Sequence, residues 1–170
     1  MIDEALAQSD FCLFDSNAPE ISVNLCRQAH GLGKPIVFDM GSWKADADLF
    51  LSLASEVVAS SACVPPDGHG SFTETARRHG ISRFAITHGE GPIQWYEQEQ
   101  AGLVHPPKTA AVDTLGAGDV YHGAYCYYRY HAALPFREAL AKAADVAAKS
   151  VAYIGPRKGV IAHTIDAARR

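Results

Sequence analysis

No long apolar run occurs anywhere in the chain. A stretch of about 18 apolar residues is the minimum for a membrane-spanning helix, so none is expected. Cysteine is scarce. Cys12, Cys26, Cys63 and Cys126 show no C-x-x-C spacing, which argues against a redox or zinc motif and for buried free thiols in the cytosol. The eight histidines form no H-x-x-x-H or H-E-x-x-H, so no histidine metal site is expected. Charge of one sign is modest: a net −4 disfavours general binding to nucleic acid or to an anionic membrane. The first ten residues are acidic and lack a basic segment, so no secretory leader is expected and the predicted location is cytoplasmic. The string G-x-x-x-x-G-K-[ST] is also missing, which excludes a Walker-type phosphate loop. There is no internal repeat, low-complexity stretch or linker.

What remains is a chain of 170 residues with 48% hydrophobic content, enough to bury a core and short enough for one domain over residues 1–170. Apolar runs at Phe11–Phe14, Pro35–Asp39, Glu56–Ala59 and Phe84–Thr87 read as buried strands. Helices are expected over 19–30, 46–55 and 71–79, with Ser16 or Asn17 capping the first and Gly80 ending the third. Ile21, Leu25 and Ala29 would form the first helix's apolar stripe. Pro65–Gly68 reads as a turn, Ile93–Tyr96 and Gly102–His105 as a hairpin, and Thr109–Val112 as a further strand. Helices follow over 119–132 and 136–152. Strands alternating with helices predict an α/β fold, a three-layer sandwich around a mostly parallel sheet.

The densest signal is Asp113-Thr114-Leu115-Gly116-Ala117-Gly118-Asp119, followed by Val120-Tyr121-His122-Gly123-Ala124. Gly116, Ala117 and Gly118 leave backbone N–H groups uncovered where a helix begins, a natural seat for an anion. Asp119 falls among those donors. A phosphate seat with a potential base within one turn suggests phosphoryl transfer to a hydroxyl. A bare G-x-G-D would more simply be an ordinary strand-to-helix turn. The longer string is much more specific.

It closely resembles the second signature of the ribokinase (PfkB) family of carbohydrate kinases, D-T-x-G-A-G-D-x-[FY]-x-G-A. Every fixed position is present, at Asp113, Thr114, Gly116, Ala117, Gly118, Asp119, Tyr121, Gly123 and Ala124. The resemblance implies a partial ribokinase-like fold and ATP-dependent phosphorylation of a sugar or sugar-like alcohol. Asp119 would be the catalytic base, and Gly116, Ala117 and Gly118 the anion hole. Thr87, Gly89 and Gly91 resemble the family's T-x-G-x-x-G nucleotide strand-end, with Gly91 displaced in spacing. Asp145 falls where the family's adenine-flanking helix often has asparagine. The loop Gly155-Pro156-Arg157-Lys158-Gly159 resembles the one that closes over a monovalent cation, K+, which Asp113 would help to hold. Asp39 and Lys44 stand where an acid and a base often face Mg2+ or phosphate; a solvated loop is an equal reading.

The resemblance has gaps. Ser60 and Cys63 occupy the positions of a magnesium-organising N-x-x-E. Cys63 has no paired base that would make it a nucleophile. The family's earlier portion, with its Gly-Gly first signature, most sugar contacts and a β lid, has no counterpart here. A truncated frame, a short homologue and part of a split enzyme remain open. So do a non-catalytic nucleotide-binding remnant and a glycosidase-like relative that binds a sugar phosphate. Asp113–Ala124 and Gly41–Lys44 look most like bacterial sugar kinases, less like adenosine or vitamin kinases. The tyrosines and histidines of 121–131 read as packing, and RNA binding is rejected because no basic stripe accompanies them. Apolar early strands without that earlier portion predict an exposed strand edge and a homodimer.

Overall fold

Six strands form one sheet in the order β1-β2-β3-β4-β5-β6: Cys12–Asp15, Ile36–Met40, Glu56–Ser60, Arg83–His88, Gly91–Glu97 and Gln100–Val104. The first four pair in parallel. Two-residue connections join β4 to β5 and β5 to β6. Links that short allow only antiparallel pairing. The predicted α/β fold with a mostly parallel sheet is therefore present. The computed structural model describes residues 2–66, 68 and 70–161.

The helices are α1 (Ile2–Gln8), α2 (Pro19–Gly31), α3 (Ala47–Leu51), α4 (Phe72–Arg78), α5 (Ala117–Cys126) and α6 (Phe136–Ser150), with a π-helical turn over Tyr127–His131. Residues 156–161 are also helical. The chain groups into two compact units, Met1–His88 with Gln94–Gly102, and Gly89–Ile93 with Leu103–Arg170.

In the first unit, β2 and β3 are interior strands whose apolar residues are buried on both sides of the sheet. Phe38 stacks on Phe50 of α3 at 4.6 Å between ring centroids, and Phe84 on Tyr96 at 4.5 Å. Burying each such ring stabilises the fold by roughly 1.5–3 kcal/mol. Ser71 caps α4 through a reciprocal box: its Oγ accepts from the Glu74 N–H at 3.2 Å, and the Glu74 carboxylate accepts from the Ser71 N–H at 2.7 Å. At the other end Gly80 takes φ 72°. There the Gly80 N–H bonds Arg77 and the Ile81 N–H bonds Ala76, so the last turn closes as a glycine-stopped helix should. Glu56 on β3 is buried, with Arg83 at 3.7 Å, and Arg83 Nε also donates to Glu97 at 2.8 Å.

In the second unit α5 packs on α6. The Tyr121 hydroxyl donates to the Leu140 carbonyl at 3.4 Å, and the Tyr125 and Phe136 rings meet edge to face. Gly159 approaches the end of α6 so closely that a Cβ there would lie 2.5 Å from the Lys149 oxygen.

Several sequence expectations need correction. Neither Ser16 nor Asn17 caps α2; Ala18 holds that position, and Asn17 bonds the Asp15 carboxylate instead. Ile21 is exposed, and α2 buries Cys26 and Ala29. The 46–55 helix shortens to α3. Thr109–Val112 is not a strand, because its backbone finds no ladder: the Val112 and Asp113 N–H groups both donate to the single carbonyl of Val151. The 119–132 helix starts earlier, at Ala117, and widens into the π turn, where Tyr127 and His131 rings lie 5.1 Å apart. Of the Pro65–Gly68 turn, Asp67 lies outside the described residues.

Candidate functional site at the start of α5

Gly116 caps α5 in the left-handed conformation, φ 74°. A Cβ here would strain the backbone and lie 3.4 Å from Pro156 Cγ. Gly118 differs: its φ is ordinary, and a Cβ on it would meet nothing within 4 Å. Packing within the chain therefore does not require glycine at 118, and the space beside it is open. The Ala117 N–H bonds back to Thr114 and the Val120 N–H to Gly116. Between them, the N–H groups of Gly118 and Asp119 have no acceptor among the described residues. These are first-turn donors, carrying the positive end of the helix dipole.

The Asp119 carboxylate belongs to the same turn and is exposed. A Cβ on Gly116 would lie 3.8 Å from its Oδ2, so the carboxylate stays beside the helix start. Among the described residues it accepts no hydrogen bond, which leaves its lone pairs available to a proton donor. Open space, two free amide donors and an exposed carboxylate fit a phosphate group beside a hydroxyl.

Asp113 shapes the approach to this turn. Its Oδ1 accepts from the Leu115 N–H at 3.0 Å and its Oδ2 from the Gly155 N–H at 2.9 Å. These bonds, that from Leu115 first, hold the carboxyl below the usual aspartate value. The structure thus brings Asp113, Gly116–Asp119 and the Gly155–Pro156 segment together. Each Asp113 oxygen keeps a lone pair beyond its amide bond. Asp145 lies half-buried on α6.

The remaining expected residues sit at the carboxyl end of the parallel strands. Register places Asp39 beside Asp15 and Ser60 beside Thr87. The Thr87 hydroxyl donates to the Ala59 carbonyl at 3.2 Å. Gly89, φ 62°, takes the first central position of the two-residue β4–β5 turn, and Gly91 opens β5; hairpin geometry alone accounts for glycine at 89. Trp43 packs against the core, while Lys44 is exposed. Burial pushes the Cys63 thiol up to about 11, so it is inert at neutral pH. Among the described residues no group of three or more His, Cys, Asp or Glu side chains could hold a metal ion. The described residues alone therefore offer Mg2+ no protein cage.

Sequence reasoning read His122 as packing. It is buried, but its Nδ1 also lies 2.8 Å from the Gly118 carbonyl. The i, i+4 spacing of the two residues on one helix was the available signal.

The chain is similar in fold to several solved kinases. A fructokinase from Xylella fastidiosa with bound ATP superposes at a TM-score of 0.78, with 20% identity, over 99% of this chain and 65% of that one. A ribokinase from Thermotoga maritima gives 0.78, with 19% identity, over 97% and 60%. A ribokinase from Arabidopsis thaliana complexed with ribose and ATP gives 0.77, with 18% identity, over 94% and 57%. The chain thus spans less than two thirds of the length of each. No curated protein matches it in sequence. A family profile described as pfkB family carbohydrate kinase matches residues 70–162, a span that holds the whole Gly116–Asp119 turn. The chain belongs to the pfkB family of carbohydrate kinases.

Proposed function

We propose that the start of α5 is the phosphoryl-transfer centre of an ATP-dependent kinase whose acceptor is a hydroxyl of a sugar or sugar-like alcohol. The observation that carries this reading is the pairing of two acceptor-free amides, Gly118 and Asp119, with an exposed and unbonded Asp119 carboxylate. ATP, when bound, supplies the phosphoryl group. The Gly118 and Asp119 N–H groups stabilise negative charge on that group as it transfers, a role preorganised donors fill without reorganising. The Asp119 carboxylate accepts the proton of the attacking hydroxyl. Asp113 holds the entering loop and the Gly155 segment in place through its two amide bonds. Thr87, Gly89, Gly91 and Asp145 belong, in this reading, to the rest of the nucleotide site.

Family membership and a neighbour solved with ATP support ATP as the donor. Mg2+ is proposed to arrive on the nucleotide's phosphates, with Asp39 meeting it directly or through water, since hard cations accept carboxylate oxygens and keep bound waters. The spare lone pairs of Asp113 support a K+ site there. Four free, buried cysteines support a reducing, cytoplasmic setting. β1 ends the sheet order and exposes Leu13, which supports a homodimer.

Calorimetry with ATP, followed by an assay of ADP release across a panel of sugars, tests the reading. Sugar-dependent ADP release is expected. ATP binding without turnover would identify a non-catalytic nucleotide module. Binding of a sugar phosphate without ATP would favour a glycosidase-like relative.

A further inference from the structure

Gly118 contributes two groups to the site. Its N–H is one of the acceptor-free donors, and its carbonyl belongs to the peptide that carries the other, the Asp119 N–H. In a trans peptide the C=O and the following N–H lie in one plane and point in opposite directions. Whatever grips the Gly118 oxygen therefore sets the direction of the Asp119 N–H. Helix geometry supplies one grip, the backbone N–H of His122. The structure adds a second: His122 Nδ1 lies 2.8 Å from the same oxygen. A carbonyl oxygen only accepts, so Nδ1 carries the hydrogen and donates. The imidazole is buried and its ring meets that of Tyr121 edge to face, 5.8 Å between centroids. Its own position is thus restrained.

We propose that His122 is a positioning residue for the anion site: through its Nδ1–H it locks the Gly118–Asp119 peptide plane and so aims the Asp119 N–H at the phosphate. The proposal rests on the kinase reading of the α5 start. Two physical effects follow. The doubly bonded carbonyl cannot rock about the helix axis as a singly bonded one can. Hydrogen bonds to the oxygen also polarise the peptide and strengthen its N–H as a donor. The residue that does this needs a donor one turn after Gly118. Asparagine meets that need elsewhere in this chain, where Asn24 Nδ2 donates to the Glu20 carbonyl four residues back, at 3.4 Å.

The test compares the full chain with His122→Leu and His122→Asn, using ATP as the probe. In the unaltered chain, nitrogen NMR should show a protonated Nδ1 on His122. A bare Nδ1 overturns the proposal without any variant. His122→Leu should move the Gly118 carbonyl and Asp119 amide resonances and weaken ATP binding by about tenfold, the scale of one lost hydrogen bond. His122→Asn should restore most of both. Resonances and affinity unchanged in His122→Leu, or equally altered in both variants, overturn the positioning role. If the unaltered chain binds no ATP, the kinase reading fails instead, and the resonance comparison still decides whether His122 sets the peptide.

Discussion

Asp113 Oδ2 accepts a hydrogen bond from the backbone N–H of Gly155 at 2.9 Å, across 42 residues of sequence. The bond ties the loop entering α5 to the segment leaving α6. Val112 and Asp113 reinforce it by donating their own N–H groups to Val151. A motif aspartate that reads as a ligand in sequence thus also acts as a clasp on the loop that presents Gly116. The candidate anion site is therefore built from two distant stretches of chain, and its geometry depends on both.

Asp119→Asn should abolish turnover and leave ATP binding nearly intact. The amide keeps the shape but cannot take a proton, and a lost general base costs roughly 10²–10⁴-fold in rate. Coupled ADP-release kinetics beside calorimetry measure this. A variant turning over within about twofold of the parent removes Asp119 from the mechanism.

Gly118→Val and Gly116→Ala should separate binding from folding. A side chain at 118 meets no protein atom within 4 Å, and valine is a better helix former than glycine, so thermal stability should hold while ATP affinity collapses. Position 116 is left-handed, where a Cβ costs roughly 1–2 kcal/mol, so Gly116→Ala should lower Tm. Unchanged ATP affinity in Gly118→Val would place the anion site elsewhere.

Asp113 should give stability a pH dependence. Its folded pKa lies below the ordinary value of 3.8, because the Leu115 and Gly155 N–H groups favour the charged form. The contribution is therefore fully present above the unfolded value and disappears as pH falls through the lowered folded one. Thermal unfolding of the parent and Asp113→Asn should differ at pH 7 and converge as pH drops below that range. A difference that stays constant with pH contradicts the clasp.

Cys63 should resist alkylation in the folded chain. With its thiol at about 11, the thiolate is roughly one part in a thousand at pH 8, and the side chain is buried as well. Iodoacetamide should label it only after denaturant is added. Rapid labelling of the native chain would show an exposed or activated thiol.

The chain should self-associate. β1 sits at one end of the sheet order, and Leu13 on it is 42% exposed. Unpaired edges and exposed apolar side chains favour pairing with another copy. Light scattering over a concentration series is the check. A clean monomer at ~100 μM rejects the dimer, since interfaces of standard size usually bind more tightly.

The first four strands, the hairpin and the α5 motif were legible in sequence because each is local. Their apolar runs, glycine stops and small-residue turn act within a few residues. Gly80 and the Ser71–Glu74 box are signals of this kind, complete within one helix. Asp113–Ala124 by itself determined the family resemblance and suggested the roles proposed above for Gly118 and Asp119. Tertiary structure decided what depends on distant partners. Thr109–Val112 has strand-like residues but no neighbouring strand, so its amides turn to Val151. Ile21 has the right helical spacing but faces away from what α2 packs against. Gly116 and Gly118 are the same residue in sequence; only the fold separates them, one required by its backbone angle and Pro156, the other with open space beside it and no packing reason to be glycine. A residue type records what a side chain can do, and its partners are chosen only when the chain closes on itself.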